Sequence, residues 1–183
     1  MSKRISKGKK INPTFFIFCE GETEEAYIKF LRAKYRLPIE IDPKIAGNRI
    51  TSKYISNYKK QKTIHPIDKT FLMYDCDVDA VLQKIQKIMN VHLLCLNPCF
   101  EFWYLIHCQK QTATLTSNNC ISKLKEHIKN YKRGFFDDKL KSKIIENKSK
   151  AISRAKISEE FSNPSTSVYK LIEELDIIKQ LNV

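Results

Sequence analysis

The stretch TFFIFCEGETEE, residues 14–25, decides the fold of this 183-residue chain. It opens with a continuous run of apolar, β-forming side chains, which is typical of a strand buried on both faces. The run stops at Glu20-Gly21, and a helix is expected from about Thr23, a residue type that caps helix N-termini well. Residues 70–77, TFLMYDCD, have the same character: a buried strand that ends in acidic residues.

The rest of the chain alternates between strand and helix patterns. Further strands are predicted at residues 39–45 and 91–96, and helices at residues 23–36, 49–62, 78–89, 118–132, 138–156 and 165–181. One more helix is expected at Asn97-Pro98, with Pro98 in its first turn. Strands that alternate with helices of about ten to fifteen residues predict parallel βαβ units with helices on both faces.

We therefore expect an α/β fold with a mainly parallel four-stranded sheet flanked by helices. Residues 13–183 are predicted to form one domain, of which about 110–183 is a mostly helical C-terminal extension. Residues 1–12 are basic and polar, and we expect them to form a flexible N-terminus.

The chain is strongly basic. It carries 33 Lys and Arg against 20 Asp and Glu, a formal net charge of +13, which favours polyanions such as nucleic acid, although solvated helix faces are the simpler alternative. The Lys-rich segment 139–156 is the predicted phosphate-binding surface. Its candidate nucleic-acid-binding residues are Lys141, Lys143, Lys148, Lys150 and Arg154.

Composition also excludes several classes of protein. The apolar runs are far shorter than the roughly 18–20 residues that span a bilayer, so we expect a cytoplasmic protein without a membrane partner. Four glycines cannot form the usual Rossmann or P-loop signatures. Six cysteines contain no C-x-x-C pair and lie mostly in apolar runs, which favours reduced core thiols.

Acidic residues follow both strongly predicted strands. Glu20 follows the first, and Asp75 and Asp77 follow the third. Because side chains two residues apart in an extended chain point to the same side, the two aspartates can converge opposite Glu20. Such carboxylates suit Mg²⁺ or Mn²⁺, although ordinary loop and capping acids are the alternative. Asp79 is assigned as the N-cap of the next helix.

Glu101 lies in the almost wholly apolar helix CFEFWYLI, residues 99–106. An isolated buried carboxylate costs several kcal/mol, so this one must be paired or must coordinate a cation. A lysine partner and a metal ion are the two alternatives.

The acids together give a family resemblance. FCEGETE at residues 18–24, combined with DCD at 75–77, resembles the Toprim pattern of topoisomerases, bacterial primases and several nucleases. NPCFEFWYLIH at 97–107 and NPSTSVY at 163–169 resemble the RloB-like family. The resemblance covers residues 13–180, although Cys76 between the two aspartates and the lack of a Gly-rich continuation depart from some small Toprim proteins.

The resemblance implies a function and a site. RloB-like proteins are associated with bacterial restriction and abortive-infection loci, often beside an ATPase, and are regarded as Toprim nucleases. It implies Glu20, Asp75 and Asp77 as catalytic metal-site residues, with Glu101 as a further metal ligand, and Mg²⁺ or Mn²⁺ as the cofactor.

We therefore expect a divalent-metal-dependent nuclease that hydrolyses RNA or DNA phosphodiester bonds in anti-phage defence. The alternative is a catalytically silent, nucleic-acid-binding Toprim subunit that acts with an ATPase partner. RNA and DNA are alternative substrates, and one and two metal ions are alternative forms of the site.

Overall fold

The computed structural model describes residues 12–181, so the predicted flexible N-terminus lies, except for Asn12, outside the described residues. These residues form a five-stranded sheet in the order β2-β1-β3-β4-β5. The strands are β1 Thr14–Cys19, β2 Glu40–Ile45, β3 Lys69–Asp75, β4 His92–Asn97 and β5 Ser165–Thr166. The first four are parallel, and β5 pairs with β4 in the antiparallel direction.

The α/β class and the mainly parallel sheet are therefore confirmed, whereas the predicted number of four strands is wrong. The fifth strand is only two residues long. A pair of residues is too short to show the period of two that marks a strand in a sequence.

Eight α-helices surround the sheet in the described part of the chain. They are α1 Glu22–Tyr35, α2 Ser52–Lys59, α3 Asp79–Gln86, α4 Glu101–Cys108, α5 Ser117–His127, α6 Asp138–Glu146, α7 Lys148–Ile157 and α8 Tyr169–Leu181. The single Lys-rich helix predicted at 138–156 is in fact two helices, because Asn147 leaves the helical conformation (φ −108°, ψ 16°) between α6 and α7.

Two helices begin several residues later than expected. Helix α8 begins at Tyr169 instead of residue 165, because Ser165–Thr166 form β5, and α2 begins at Ser52 instead of residue 49.

Three further helix starts differ from expectation. α1 begins at Glu22 after Gly21, so Thr23 lies inside the helix. Asp79 is the first residue of α3 rather than its cap. α4 begins at Glu101, three residues after Pro98, so this proline is not in the first helical turn.

The sheet separates two apolar cores because alternate side chains of each strand point to opposite faces. In β1, Phe15 and Ile17 belong to the first core, and Phe16 and Phe18 belong to the second. Helices α1 and α4–α8 supply the first core, whereas α2 and α3 supply the second.

Helix α4 is the centre of the larger core. Residues 101–107 are all buried, and α5, α6 and α7 pack against this helix. Helix α8 contacts the end of α1 and the start of β3. Asp176 accepts a hydrogen bond from Tyr35 at 2.8 Å, and Glu174 pairs with Lys69 at 2.6 Å. The predicted helical extension therefore folds back onto one face of the sheet.

The six cysteines are all free. Five are buried and Cys108 is half-buried. Burial raises the pKa of the Cys19 thiol well above its ordinary value. None of the helices within residues 12–181 has both the length and the apolar character that crossing a bilayer requires.

Ser167 fixes the end of the short strand β5 to β4. Its hydroxyl accepts a hydrogen bond from the N–H of Cys95 at 2.8 Å, and its own N–H donates to the carbonyl of Cys95 at 3.0 Å. The side chain is buried, so no water replaces the hydroxyl when it is removed.

We expect Ser167→Ala to lower the free energy of unfolding by about 1–3 kcal/mol, because it leaves the buried N–H of Cys95 without this acceptor. Urea denaturation measures the difference. The matched control is Ser153→Ala on the exposed side of α7, which should change stability by no more than about 0.5 kcal/mol. Equal stability of the two variants would contradict a structural role for the Ser167 hydroxyl.

Candidate active site

The candidate site lies at the switch point of the sheet, where successive strand connections lead to opposite sides of β1. Strand β1 has β2 on one side and β3 on the other, and in open parallel sheets the crevice at such a switch point is where ligands bind. Glu20 follows β1 directly, and its N–H donates to the carbonyl of Met73 in β3 at 3.1 Å. Glu20 is therefore held by an extension of the central strand pairing.

Glu20 also contacts the end of β3 through its side chain. Its Oε2 accepts a hydrogen bond from the N–H of Asp75 at 2.9 Å. Burial raises the pKa of Glu20, and the charge of Asp77 adds to this effect, whereas the Asp75 N–H and the charge of Arg133 oppose it. The structure thus brings together two of the three residues predicted from the strand ends, Glu20 and Asp75.

Asp75 is the most perturbed acid of the site. Burial raises its pKa to about 9, and the charges of Glu24, Glu20, Glu101 and Asp77 contribute further. Its Oδ1 is buried and has no hydrogen-bond partner among the described residues. A protonated carboxyl or a bound cation satisfies such an oxygen, because an unpaired buried charge is costly.

Glu24 is a site residue that sequence reasoning missed. Its sequence position fits an acid that favours a helix N-terminus, but in the structure it is buried and accepts a hydrogen bond from the N–H of Gly21 at 3.2 Å. Burial raises its pKa to about 7, with Glu20 and Glu101 adding to the effect. The spacing of four residues from Glu20 was the available signal.

Glu101 is 2% exposed at the start of α4. Its Oε1 accepts hydrogen bonds from the hydroxyl of Tyr131 at 3.0 Å and from Nε of Arg133 at 3.2 Å. The expected cationic partner therefore exists, although it is arginine rather than lysine. The Arg133 side chain is 62% exposed, which places this pair at the border between pocket and solvent.

One open pocket of about 340 Å³ collects these groups. Its lining comprises Glu20, Gly21, Glu22, Thr23, Glu24, Asp75, Glu101 and Arg133. Five carboxyl groups thus face one guanidinium group, so the pocket is acidic although the chain as a whole is basic.

Asp77 does not line this pocket. It is exposed, two residues beyond the end of β3, and acts on Glu20 and Asp75 through its charge. Its assignment as a metal ligand stays a prediction.

The five predicted nucleic-acid-binding residues lie on α6 and α7, and three of them have partners within the chain. Lys141 pairs with Asp138 at 2.8 Å, and Lys148 pairs with Asp176 at 2.8 Å. Arg154 donates to the carbonyl of Ile106 at 2.7 Å. Lys143 is half-buried and Lys150 is exposed. Their role in nucleic-acid binding also stays a prediction.

A divalent cation fits the chemistry of the pocket. No group of three or more His, Cys, Asp or Glu side chains within residues 12–181 is already arranged to hold a metal ion. The donors are nevertheless hard carboxylate oxygens around one pocket, and Oδ1 of Asp75 is free of other partners. Glu20, Asp75 and Glu101 are the residues that could hold the ion.

Comparison with known proteins gives one match. A model of the RloB-like protein family matches residues 15–175, which is most of the chain, and confirms the resemblance to that family. No curated protein and no solved structure matches the chain.

The raised pKa of Asp75 predicts a pH dependence of stability. Between about pH 4 and pH 9 the folded, metal-free protein holds a proton that the unfolded chain has released, so the free energy of unfolding should fall as pH rises. The slope from one such group is at most about 1.4 kcal/mol per pH unit. Asp75→Asn should flatten this dependence and stabilise the protein at pH 8.

Denaturant unfolding at several pH values in the presence of EDTA checks this expectation. Asp79→Asn is the matched control, because it removes an exposed aspartate outside the pocket and should leave the slope unchanged. If Asp75→Asn has the pH dependence of the unmodified protein, Asp75 does not carry the buried proton.

Proposed function

We propose that this chain, which belongs to the RloB-like family, is a divalent-metal-dependent nuclease that hydrolyses phosphodiester bonds of RNA or DNA. The observation that carries the proposal is the Glu20–Asp75 pair at the carboxyl ends of the two central strands, with Oδ1 of Asp75 free to bind a ligand. We further propose a Toprim-like fold and a role in bacterial anti-phage defence.

Glu20, Asp75 and Glu101 are the proposed ligands of Mg²⁺ or Mn²⁺, with Asp77 as a further candidate. The bound ion supplies Lewis-acid stabilisation of the negative charge that develops on the phosphate. Two neighbouring carboxylates attract such an ion strongly, because its charge removes the repulsion between them.

The alternative role proposed for Glu20, when the other acids hold the ion, is that of general base. A base works best when its pKa lies near the operating pH, and burial moves the pKa of Glu20 upward in that direction. The Asp75 N–H occupies Oε2 of Glu20, so Oε1 is the atom that would accept the proton from water.

Arg133 is suited to contact the phosphate. Its Nε is engaged by Glu101, while most of the side chain is exposed at the pocket border. A guanidinium group can bind two phosphate oxygens at once through its remaining N–H groups. Glu101 therefore orients the group that would hold the substrate beside Glu20.

We expect Glu20→Gln and Asp75→Asn each to reduce cleavage of RNA and DNA panels at least about 100-fold in Mg²⁺ or Mn²⁺. The measurement is loss of labelled substrate on denaturing gels, with Asp79→Asn as the control that keeps full activity. Undiminished cleavage by Glu20→Gln would contradict the proposed site. Absence of cleavage by the unmodified chain in both metals would favour the silent subunit that acts with an ATPase.

Glu101→Gln separates a catalytic from a structural role. We expect it to abolish cleavage while changing the stability of the metal-free protein by less than about 1 kcal/mol, because the largely exposed Arg133 can turn into solvent and the loss of one crowded carboxylate relieves repulsion. Urea denaturation and cleavage are measured on the same preparation.

The opposite result assigns Glu101 to the core. A loss of roughly 3–5 kcal/mol, as for a broken buried ion pair, with normal cleavage by the remaining folded protein would remove Glu101 from the site. The proposed ligands would then be Glu20, Asp75 and Asp77.

A further inference from the structure

We propose that a groove beside the acidic pocket binds single-stranded polynucleotide and leads it to Glu20 and Asp75; this inference rests on the proposed nuclease function. The groove, here called the loop groove, lies between the end of α5 and the segment that follows it, and has a volume of about 810 Å³. The residues of its lining that matter here are Glu22, Lys125, Lys129, Lys132, Arg133 and Phe135.

The loop groove is basic and its charges are available. Lys125, Lys129 and Lys132 are exposed, and none of them forms an ion pair with another residue of the described range 12–181. Glu22 is the acidic residue in its lining. A row of unpaired lysines attracts a phosphate backbone by releasing its counterions.

The loop groove continues into the acidic pocket. Glu22 and Arg133 line both of them, and Glu101 holds Arg133 from the pocket side. A strand whose phosphates follow the lysines is therefore led past Arg133 to the carboxylates.

An exposed aromatic ring marks the rim of the loop groove. Phe135 is 59% exposed, whereas its neighbour Phe136 packs into the first core, with its ring centroid 4.9 Å from that of Phe30. Phe136 thus anchors the segment and leaves Phe135 in solvent. An exposed ring beside a basic groove suits an unpaired base, because a duplex keeps its base faces stacked inside.

Two hydrogen bonds fix the loop groove relative to the pocket. Gly134 has a φ of +73°, and its N–H donates to Oγ1 of Thr23 in α1 at 3.0 Å. A Cβ at this position would lie 3.1 Å from Oε2 of Glu22. Tyr131 adds its hydrogen bond to Glu101. These hydrogen bonds fix the position of the basic segment relative to the carboxylates.

Fluorescence anisotropy in EDTA tests the proposal without cleavage. The probes are labelled oligouridylate and oligothymidylate of about a dozen nucleotides, and a mixed-sequence blunt duplex of the same length. Phe135→Ala should weaken binding of the single strands about 10-fold and leave duplex binding unchanged. Replacing Lys125, Lys129 and Lys132 together with Gln should lower the slope of log affinity against log salt by about 2, since each single-strand phosphate contact contributes about 0.7.

The matched control is Gln at Lys53, Lys60 and Lys87. These lysines are exposed, lie on α2 or directly after α2 and α3, and belong to the opposite face of the sheet. This variant loses the same charge and should keep the salt slope. Circular dichroism melting confirms that each variant is folded, which the exposure of Phe135 and of the substituted lysines in the groove and control variants leads us to expect.

Three outcomes would contradict the proposed role of the loop groove. They are an equal loss of affinity in the control variant, unchanged single-strand binding by Phe135→Ala, or a loss of affinity larger than that of the groove variant when Lys141, Lys143 and Lys150 are replaced by Gln. Cleavage is then measured separately in Mg²⁺ and Mn²⁺. Binding that depends on the groove, without cleavage, contradicts the proposed nuclease function but supports the groove as a binding site. Cleavage that none of the groove variants changes contradicts the groove proposal but supports the nuclease function.

Discussion

The pairing of β1 with β3 at the centre of the sheet is the constraint on which the acidic pocket depends. Glu20 donates its N–H to Met73 and accepts the N–H of Asp75 through its carboxylate. Both bonds involve main-chain groups whose positions are set by the strands. The strand pairing therefore places the backbones of the two acids side by side, so the fold itself gathers carboxyl groups at one edge of the sheet.

The protein balances this concentration of charge in three ways. Arg133 supplies a positive charge at the pocket border, the N–H groups of Gly21 and Asp75 bind carboxylate oxygens, and raised pKa values leave protons on Asp75 and Glu24 in the metal-free state. A divalent cation would compete directly with these protons. Cation affinity at this pocket should therefore increase with pH, and each bound ion should release protons into solution.

The sequence predicts those features of the fold and the pocket that depend on neighbouring residues along the chain. The runs at residues 14–19 and 70–74 are long, apolar and rich in β-forming side chains, and both are strands with an acid at the end. Helix boundaries were less predictable because capping depends on backbone geometry. The break at Asn147 interrupts a pattern whose apolar positions continue on both sides of it.

The remaining features depend on contacts between distant residues. Strand β5 has two residues and exists because β4 offers it an edge. Arg133 lies 32 positions after Glu101, in a segment with many other basic residues, so its sequence neighbours do not reveal the contact. Glu24 fits the ordinary pattern of an acid in the first turn of a helix, and only the packing of α1 against the sheet buries it.

Burial of the thiols has a consequence for the chemistry of the whole chain. Alkylating agents and oxidants react with the exposed thiolate, and five of the six cysteines are enclosed by the same packing that forms the two cores. Their modification therefore reports the opening of the core rather than the native surface. Cys108, half-buried at the end of α4, is the one thiol among the described residues whose labelling can follow the folded protein itself.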